Sequence, residues 1–536
     1  MKKLMVMVAM VITLGLSAQV RYEDIVKGPG RDWLTYAGDY QALGLSSLDQ
    51  VTPENAATMT AKWSYAVPGA SGLRTRPIVY DGVMYFTNSN EVYALDARSG
   101  RLIWKYTDLK AQKKDAANRG AAILGDKVYF STVDVHLVAL DRRTGGLIWR
   151  KQYGDIKKGE FASSAPLAIN GMIIVGNGGG DLGMRGAVTA LDAETGEEKW
   201  KTYTVPAKGE KGAETWGEYV EWGGGATWLS GTFDPALNTL YWTTGNPWPD
   251  FYDGDRKGDN LYSCSLLALD ATTGKMKWYF QFTPQDTHDW DAQSWPVLVD
   301  LPYEGKLRKL VFHANRNGYL YVLDRVTGEY LKASKLIDKL DWSTGIDLKG
   351  KPMKVTGKDP TPNGNRVCPG VRGATNWMSQ SYNPATGLLA VVTLEQCDVF
   401  TSSEQKPEPM KNFAGGGAGP KPKDAGQFFL RAFNPLTGQK VWEYPMTGKG
   451  NMWAGAVGTK TGVIFVGDDD GHLVAVDGKT GRHLWHYQTG DDVYASPIVY
   501  SAEGKQYVAI ASSKTIFSFG LFEPVKSVPV PAIKIQ

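Results

Sequence analysis

The sequence predicts an all-β protein, an eight-bladed β-propeller of four-stranded antiparallel blades. The main observation is a turn of the form apolar-Asp-x-x-Thr/Ser-Gly-x-x-x-Trp, which recurs along the chain and mostly follows a second hairpin. The 536 residues include 62 Gly, 18 Trp and 26 Tyr, a composition that suits short twisted strands and tight turns. A chain of this length exceeds one ordinary core, which favours a large repeat architecture.

The repeated turn supplies the outer hairpin of each blade. Its Asp accepts backbone N–H bonds, its Gly takes a positive φ, and its Trp starts the next strand and docks between blades, as in residues 95–104. The upstream hairpin is exemplified by residues 78–86, where Asp81-Gly82 is the turn signal. The strand around Trp63 would pair with the tail after Trp485 and close the ring. Eight equivalent positions result, namely 63, 104, 149, 200, 278, 331, 442 and 485.

The chain is predicted to contain an export signal at residues 1–18 and a single propeller domain at residues 19–536. The signal has two lysines, a short apolar run and small residues at its end. Long steps between repeat positions place insertions around 201–265 and 332–430, where binding sites tend to be built. Within the second insertion, the Lys/Pro/Gly-rich stretch 404–426 is expected to be a mobile surface loop.

Charge and cysteine content narrow the function classes. The formal net charge of +3 is near balance, so no nucleic-acid partner is indicated. No segment after the signal is long and apolar enough for a stable membrane span, which predicts a periplasmic protein. No Cys-x-x-Cys-His occurs, so no c-type haem is attached. In an oxidising compartment Cys368 and Cys397 could form a bridge, which would leave Cys264 as a buried free thiol.

The stretch 283–295 is the first candidate site. It places Asp286, Asp289 and Asp291 between aromatic side chains. In an extended segment, side chains two residues apart leave on the same side, so Asp289 and Asp291 can converge on one hard cation or on one proton. The alternative is a solvated acidic loop, since acidic side chains are usually exposed.

Two further stretches could contribute to a ligand site. Residues 176–186 contain three consecutive glycines before Asp181, which permit a backbone that approaches a flat ligand, although a loose turn between strands is the alternative. Trp228 follows a small-residue track, and its indole could form the floor for a planar cofactor. Asn246 could offer a neutral oxygen to a hard cation. For each tryptophan, packing between blades is the alternative role.

Together these motifs resemble the quinoprotein alcohol dehydrogenases of the methanol and ethanol type that use pyrroloquinoline quinone (PQQ), in the form without a fused cytochrome domain. The likeness covers nearly the whole chain after the signal, and it is carried by the ordered set rather than by one motif. The set comprises the turn repeat and the motifs at 180–186, 223–228, 244–247, 283–291, 315–318 and 373–377.

The resemblance implies a quinone on the propeller axis, stacked on Trp228, beside one metal ion. The implied cofactor contacts are Arg119, Ser163, Gly179, Gly180, Trp228, Arg316, Asn376 and Trp453. The implied metal ligands, besides quinone atoms, are Asp181, Asn246, Asp289 and Asp291. The pair Asp289-Trp-Asp291 is similar to members associated with a lanthanide rather than calcium. The interval from Cys368 to Cys397 resembles a family disulfide.

The activity implied by the resemblance is oxidation of primary alcohols to aldehydes by hydride transfer to metal-bound PQQ. Asp289 would act as the base for the hydroxyl proton, and Arg316 would stabilise charge on the quinone oxygens. Electrons would pass to a separate soluble cytochrome c. The oligomeric state is open, with a homodimer as one option. A non-catalytic propeller scaffold of the same ancestry and a sugar- or polyol-oxidising relative are the alternatives.

Substrate specificity and three departures from the family pattern are further expectations. Trp248, Phe251 and Trp295 are predicted to line the substrate pocket. Lys113-Lys114 stands where the family has adjacent cysteines over the quinone, which leaves the upper stacking partner open. The remaining departures are Asp181 in place of the usual Glu, which leaves its reach to the metal open, and Arg74 in place of a frequent Glu.

Overall fold

The computed structural model of the protein describes residues 19–112, 116–217, 223–404, 413–420, 426–448, 453–468 and 470–523. The predicted signal at 1–18 and the Lys113-Lys114 departure lie outside the described residues.

Eight antiparallel blades of four strands follow one another along the described chain, as the sequence predicted, and one of them has a fifth strand added at its edge. Blades 1 to 4 consist of Ile78–Tyr80, Val83–Asn88, Glu91–Asp96 and Leu102–Thr107; Ala122–Leu124, Lys127–Ser131, His136–Asp141 and Leu147–Gln152; Leu167–Ile169, Met172–Gly176, Ala187–Asp192 and Glu198–Tyr203; and Thr232–Asp234, Thr239–Thr243, Ser265–Asp270 and Met276–Gln281. Blades 5 to 8 consist of Val297–Tyr303, Lys306–Ala314, Tyr319–Asp324 and Tyr330–Lys335; Ser381–Asn383, Leu388–Glu395, Gln427–Asn434 and Gln439–Pro445; Ala456–Thr459, Val463–Gly467, His472–Asp477 and His483–Gln488; and Ile498–Ala502, Lys505–Ser512, Thr515–Leu521 and Met59–Ala66.

Blade 8 closes the ring with strands from both ends of the chain. Met59–Ala66 pairs antiparallel with Thr515–Leu521, with Trp63 opposite Ser518. The short strand Leu45–Ser46 adds to the edge of blade 7 by parallel pairing with Ala456–Thr459. The predicted pairing of the Trp63 strand with the C-terminal tail is confirmed, and it satisfies edges that would otherwise expose unpaired backbone groups.

The repeated turn packs against the Trp of the preceding blade, as blades 1 and 2 illustrate. In blade 1 the indole of Trp104 donates its Nε1–H to the carbonyl of Arg142, in the turn of blade 2, at 3.0 Å. Gly145 of that turn has φ +72°, and a Cβ built on it would lie 2.6 Å from the Trp104 ring. Asp141 accepts the backbone N–H groups of Arg143 and Thr144 at 3.0 and 2.9 Å. The glycine is therefore required both for its backbone conformation and because the indole covers it.

The insertions carry small elements outside the blades. Two further sheets contain Ser343–Ile346 with Pro352–Lys354, and Asn365–Val367 with Asp398–Ser402 and Gly416–Pro420. The described helices are one α-helix, Tyr22–Val26, and the 3-10 helices Ala56–Thr58, Ile156–Lys158, Gly180–Leu182 and Ala213–Thr215. The prediction of a loop throughout 404–426 is wrong at Gly416–Pro420, where a strand pairs with Asp398–Ser402; residues 405–412 and 421–425 lie outside the described residues.

The cysteines behave as the sequence predicted. A disulfide joins Cys368 to Cys397 within the second insertion. Cys264 is a free thiol and is fully buried. Among the residues that the structure describes, no helix has the length and apolar character needed to cross a membrane.

Candidate active site

One cavity of about 340 Å³ gathers all the side chains and glycines predicted to hold a cofactor or metal. Grooves of about 810, 540 and 530 Å³ elsewhere are larger but include none of these residues, so the cavity is identified by its chemistry rather than by its size. The predicted residues on the cavity wall are Arg119, Ser163, Gly179, Gly180, Asp181, Trp228, Asn246, Asp289, Asp291, Arg316, Asn376 and Trp453.

Arg316 holds together the two carboxylates of the acidic stretch. Its Nη1 donates to Asp291 Oδ2 at 3.0 Å, and its Nη2 donates to Asp289 Oδ2 at 3.4 Å. The Arg316 Nη2 also donates to the carbonyl of Val371 at 2.6 Å. Asp289 and Asp291 therefore meet at one guanidinium, and neither has the exposure of a solvated acidic loop. Asp286 serves instead as a brace, because its Oδ2 accepts the backbone N–H of Trp290 at 3.0 Å.

Asp289 and Asp291 differ in how many hydrogen bonds they accept and in how much of each side chain is exposed. Asp291 also accepts the indole N–H of Trp228 at 3.0 Å and the backbone N–H of Asn246 at 2.6 Å. Only 7% of its side chain is exposed, against 27% for Asp289. Asp289 has φ +58°, a conformation that costs a non-glycine residue about 1 kcal/mol and is often retained at functional sites. Asp289 is thus the carboxylate of this pair that a substrate can reach.

Asp181 reaches the same cavity from the glycine-rich stretch. It lies in the 3-10 helix Gly180–Leu182, and Gly179 before it has φ +110°. A Cβ on Gly179 would lie 1.9 Å from the carbonyl oxygen of Gly159, so any other residue would displace the turn. The three consecutive glycines, which lie between the second and third strands of blade 3, therefore let the backbone pass close to Gly159 and Phe161 and place Asp181 on the cavity wall.

The carboxyl groups of the cavity resist ionisation. Loss of water raises the pKa of Asp289 well above its ordinary value; Arg316 opposes this shift and the charge of Asp291 adds to it. The pKa values of Asp181 and Asp291 are raised for the same first reason, again opposed by Arg316. Although the Asp181 side chain is open to solvent in the cavity, the surrounding walls remove part of its water.

Burial and then the charges of Asp181 and Asp289 raise the pKa of Asp250, just behind the wall. A bound cation would favour the ionised form of all four groups.

The opposite side of the cavity is aromatic and cationic. The guanidinium carbon of Arg119 lies 4.8 Å from the ring centroid of Trp228 and 4.8 Å from that of Trp377. Among the residues that the structure describes, neither the buried Arg119 Nε nor the buried Arg316 Nε has a hydrogen-bond partner. Burial lowers the pKa of Arg119 to about 10, so the group stays charged at neutral pH. Two indoles and two arginines with uncommitted nitrogens suit a flat, anionic ligand.

Comparison with known proteins decides the family. Residues 33–333 and 445–508 match the PQQ family model, described as the β-propeller domain of glucose/ethanol/alcohol dehydrogenases. The chain belongs to this family. It is 37% identical over 521 residues to quinohemoprotein alcohol dehydrogenase ADH-IIG of Pseudomonas putida, a match that covers 90% of this chain and 72% of that one. It is 34% identical over 544 residues to quinoprotein alcohol dehydrogenase PedH of Pseudomonas putida, covering 95% and 91%. A solved europium-containing methanol dehydrogenase superposes with a TM-score of 0.86 at 29% identity, covering 93% of this chain and 100% of that one.

The oxygen donors of the cavity fit the hard metal ion of a PQQ dehydrogenase. Asp181, Asn246, Asp289 and Asp291 offer carboxylate and amide oxygens, which calcium and lanthanide ions prefer. Within the described residues, no three His, Cys, Asp or Glu side chains lie close enough to hold an ion by themselves. A metal there would therefore need the Asn246 oxygen and oxygen atoms of the cofactor as well.

Four cavity residues were not assigned to the site from the sequence, namely Ala117, Phe161, Ala226 and Trp377. Trp377 stacks on Trp453 with ring centroids 6.1 Å apart, and its position next to Asn376 was the signal that could have identified it. The prediction for Trp248, Phe251 and Trp295 is wrong, because none of them lies on the cavity wall.

Those three aromatic side chains are instead buried and pack against other aromatic rings, Phe251 against Phe400 at 6.1 Å. Trp248 is 1% exposed and packs edge-on against Phe413 at 6.2 Å. Trp295 stacks on Tyr36 at 4.8 Å, and its indole N–H donates to the carbonyl of the cavity residue Trp377 at 3.1 Å. Of the family departures, Arg74 lies 5.7 Å above the ring of Tyr494 rather than on the wall.

Proposed function

We propose that this chain is an exported quinoprotein alcohol dehydrogenase that oxidises primary alcohols to aldehydes. One observation carries the proposal: a single cavity combines a base-bearing set of carboxylates around Arg316 with an arginine held between two indoles. The family match and the similarity to proteins named as quinoprotein alcohol dehydrogenases support it.

PQQ and one metal ion are the proposed cofactors. When bound, PQQ supplies a two-electron acceptor for hydride and the ion supplies a Lewis acid that polarises it. Asp181, Asn246, Asp289 and Asp291 are proposed to hold the ion, and Trp228 to form the floor under the quinone. The remaining proposed contacts to the cofactor are Arg119, Ser163, Gly179, Gly180, Arg316, Asn376 and Trp453.

Asp289 is proposed as the catalytic base. It is the more exposed partner of the Arg316 cluster, so one carboxylate oxygen can meet an alcohol hydroxyl while Arg316 fixes the other. The base has to be ionised, and Arg316 and a bound cation both favour that form. Arg316 has a second proposed role, because its buried Nε, which has no hydrogen-bond partner in the described part of the chain, would be free to donate to a negatively charged electron acceptor.

A lanthanide is the preferred metal in this proposal, with calcium as the alternative. Asp291 adds a carboxylate two residues after the base, and a trivalent ion gains more from that extra charge than a divalent one. The structural similarity to a europium-containing methanol dehydrogenase is in line with this choice.

The setting of the enzyme completes the proposal. Residues 1–18 would direct export to the periplasm, and residues 19–536 would form one propeller domain with insertions around 201–265 and 332–430. A soluble cytochrome c is the proposed electron acceptor, and the sequence printed here contains no Cys-x-x-Cys-His for a haem of its own. A homodimer is a further possibility that ultracentrifugation would test.

Reconstitution tests the proposal directly. Purified protein is incubated with PQQ and either lanthanum or calcium, and dye reduction is measured with a panel of short primary alcohols, polyols and sugars. We expect alcohol-dependent reduction that needs both PQQ and a metal ion. Absence of turnover together with absence of a bound-quinone spectrum, with either metal, would support a scaffold instead. Turnover with sugars but not alcohols would assign the sugar-oxidising alternative.

A further inference from the structure

Asp250 is a buried carboxylate directly behind the candidate metal ligand Asn246. The residue is only 5% exposed, and its Oδ1 accepts a hydrogen bond from Asn246 Nδ2 at 2.7 Å. The same Asn246 Nδ2 also reaches the carbonyl of Pro247 at 3.2 Å. Both contacts engage the amide nitrogen, so the Asn246 oxygen is the atom left to face the cavity.

The Asp250 carboxylate lacks the partner that a buried charge normally needs. Within the described part of the chain it forms no ion pair. Arg256 lies six residues further along the chain, but its guanidinium donates to Asn260 Oδ1 at 2.7 Å and to the carbonyls of Pro249 and Asp286 at 2.8 and 2.7 Å. An uncompensated buried charge costs several kcal/mol, so a carboxylate in this place is explained if a cation binds nearby.

We propose that Asp250 is a positioning residue for the metal site, which fixes the Asn246 oxygen toward the ion and adds a fourth negative charge that favours a trivalent over a divalent ion. The inference rests on the proposed function. The charge of Asp250 would also compensate for the shorter side chain of Asp181, because it attracts the ion without being a ligand.

The charge of Asp250 can be removed by substitution while its hydrogen bond from Asn246 is kept. Asp250→Asn keeps an oxygen that can accept from Asn246 but removes the charge. Because Coulomb attraction scales with ion charge, a loss of about tenfold in calcium affinity would correspond to about thirtyfold for lanthanum. Asp253→Asn is the matched control: it removes one charge from the same loop, but Asp253 is paired with Lys257 at 3.0 Å and does not contact Asn246.

Equilibrium dialysis of the full chain with PQQ in both chambers, followed by mass-spectrometric metal analysis, measures the affinities without relying on turnover. We expect Asp250→Asn to lose lanthanum affinity by about thirtyfold and calcium affinity by a smaller factor, with Asp253→Asn close to the unaltered chain. A loss below threefold for lanthanum, or equal losses for both ions, would overturn the inference. If Asp250→Asn does not fold, Asp250→Ser is measured in the same way.

Failure of the proposed function gives a different result in this experiment. If the unaltered chain binds neither ion with PQQ present, the quinoprotein proposal fails and the role of Asp250 fails with it. If the unaltered chain binds lanthanum and Asp250→Asn binds it equally well, only the role of Asp250 is refuted.

Discussion

Replacing Asp289 with Asn should abolish most of the alcohol oxidation while leaving the fold and the cofactor in place. The substitution removes the proton acceptor but keeps an oxygen of the same size next to Arg316, which stays paired with Asp291 at 3.0 Å. Loss of a general base lowers rates by about 10²–10⁴, which is roughly 3–5 kcal/mol of transition-state free energy. We therefore expect kcat/KM to fall by that factor.

The structure also predicts the sign of the stability change. The pKa of Asp289 is raised in the folded chain, chiefly by burial, so its ionised form is less favourable there than in the unfolded chain. At neutral pH an ionised carboxyl of this kind opposes folding, and its contribution to stability falls as pH rises above the ordinary pKa of 3.8. The metal-free Asp289→Asn chain should therefore unfold at the same temperature as the unaltered chain or at a higher one.

Dye-linked turnover of chains loaded with PQQ and lanthanum, together with calorimetric melting of the metal-free chains, measures both effects. Asp291→Asn is the matched control: Asp291 is occupied by Arg316, Trp228 and Asn246, so its neutralisation should weaken metal binding rather than remove the base. A kcat/KM above about one tenth of normal for Asp289→Asn, with bound metal and quinone verified, would refute the role of Asp289 as the base.

Three further predictions concern the scaffold. Gly145→Ala should destabilise the fold by about 1–3 kcal/mol more than Gly82→Ala in denaturant titrations, because both glycines have positive φ (+72° and +77°) but only Gly145 is covered by an indole. Burial raises the pKa of Asp39 to about 6, so stability should fall by about 3 kcal/mol as pH rises from about 3 to about 7, and Asp39→Asn should remove this decrease in unfolding titrations at several pH values. Replacing Cys368 and Cys397 with Ser opens a bridge of sequence separation 29 and should lower the free energy of unfolding by roughly 3–4 kcal/mol in the same titrations.

The propeller could be predicted because its repeating unit is local. The turn Asp accepts hydrogen bonds from backbone N–H groups two and three residues later, so each turn can be identified from a short stretch of sequence. Counting the equivalent positions then gives the number of blades. The strand Gly416–Pro420 could not be predicted, because its Gly-rich composition signals a loop. It pairs with Asp398–Ser402, so the decisive partner is a strand that lies outside every repeat.

The acidic half of the site was predictable for a similar reason, since Asp289 and Asp291 lie two residues apart and share Arg316. The aromatic half was predicted only in part. Trp248 follows Asn246 by two residues, which suggests a common side, yet it packs against Gly183 and Phe413. The chain turns at this point, so the simple alternation of a strand does not hold and proximity in sequence is misleading.

The two halves of the cavity together constrain how a ligand can lie in it. Carboxylates around Arg316 occupy one side, and Arg119 between two indoles occupies the other. Trp228 contacts both sides, because its indole N–H donates to Asp291 and the Arg119 guanidinium lies over its ring. A flat molecule stacked on Trp228 would have to displace that guanidinium toward its edge, exchanging a cation–π contact of about 1–2 kcal/mol for charge-assisted hydrogen bonds of about 1.5–3 kcal/mol each. The exchange favours a flat ligand that carries negative charge at the edge facing Arg119.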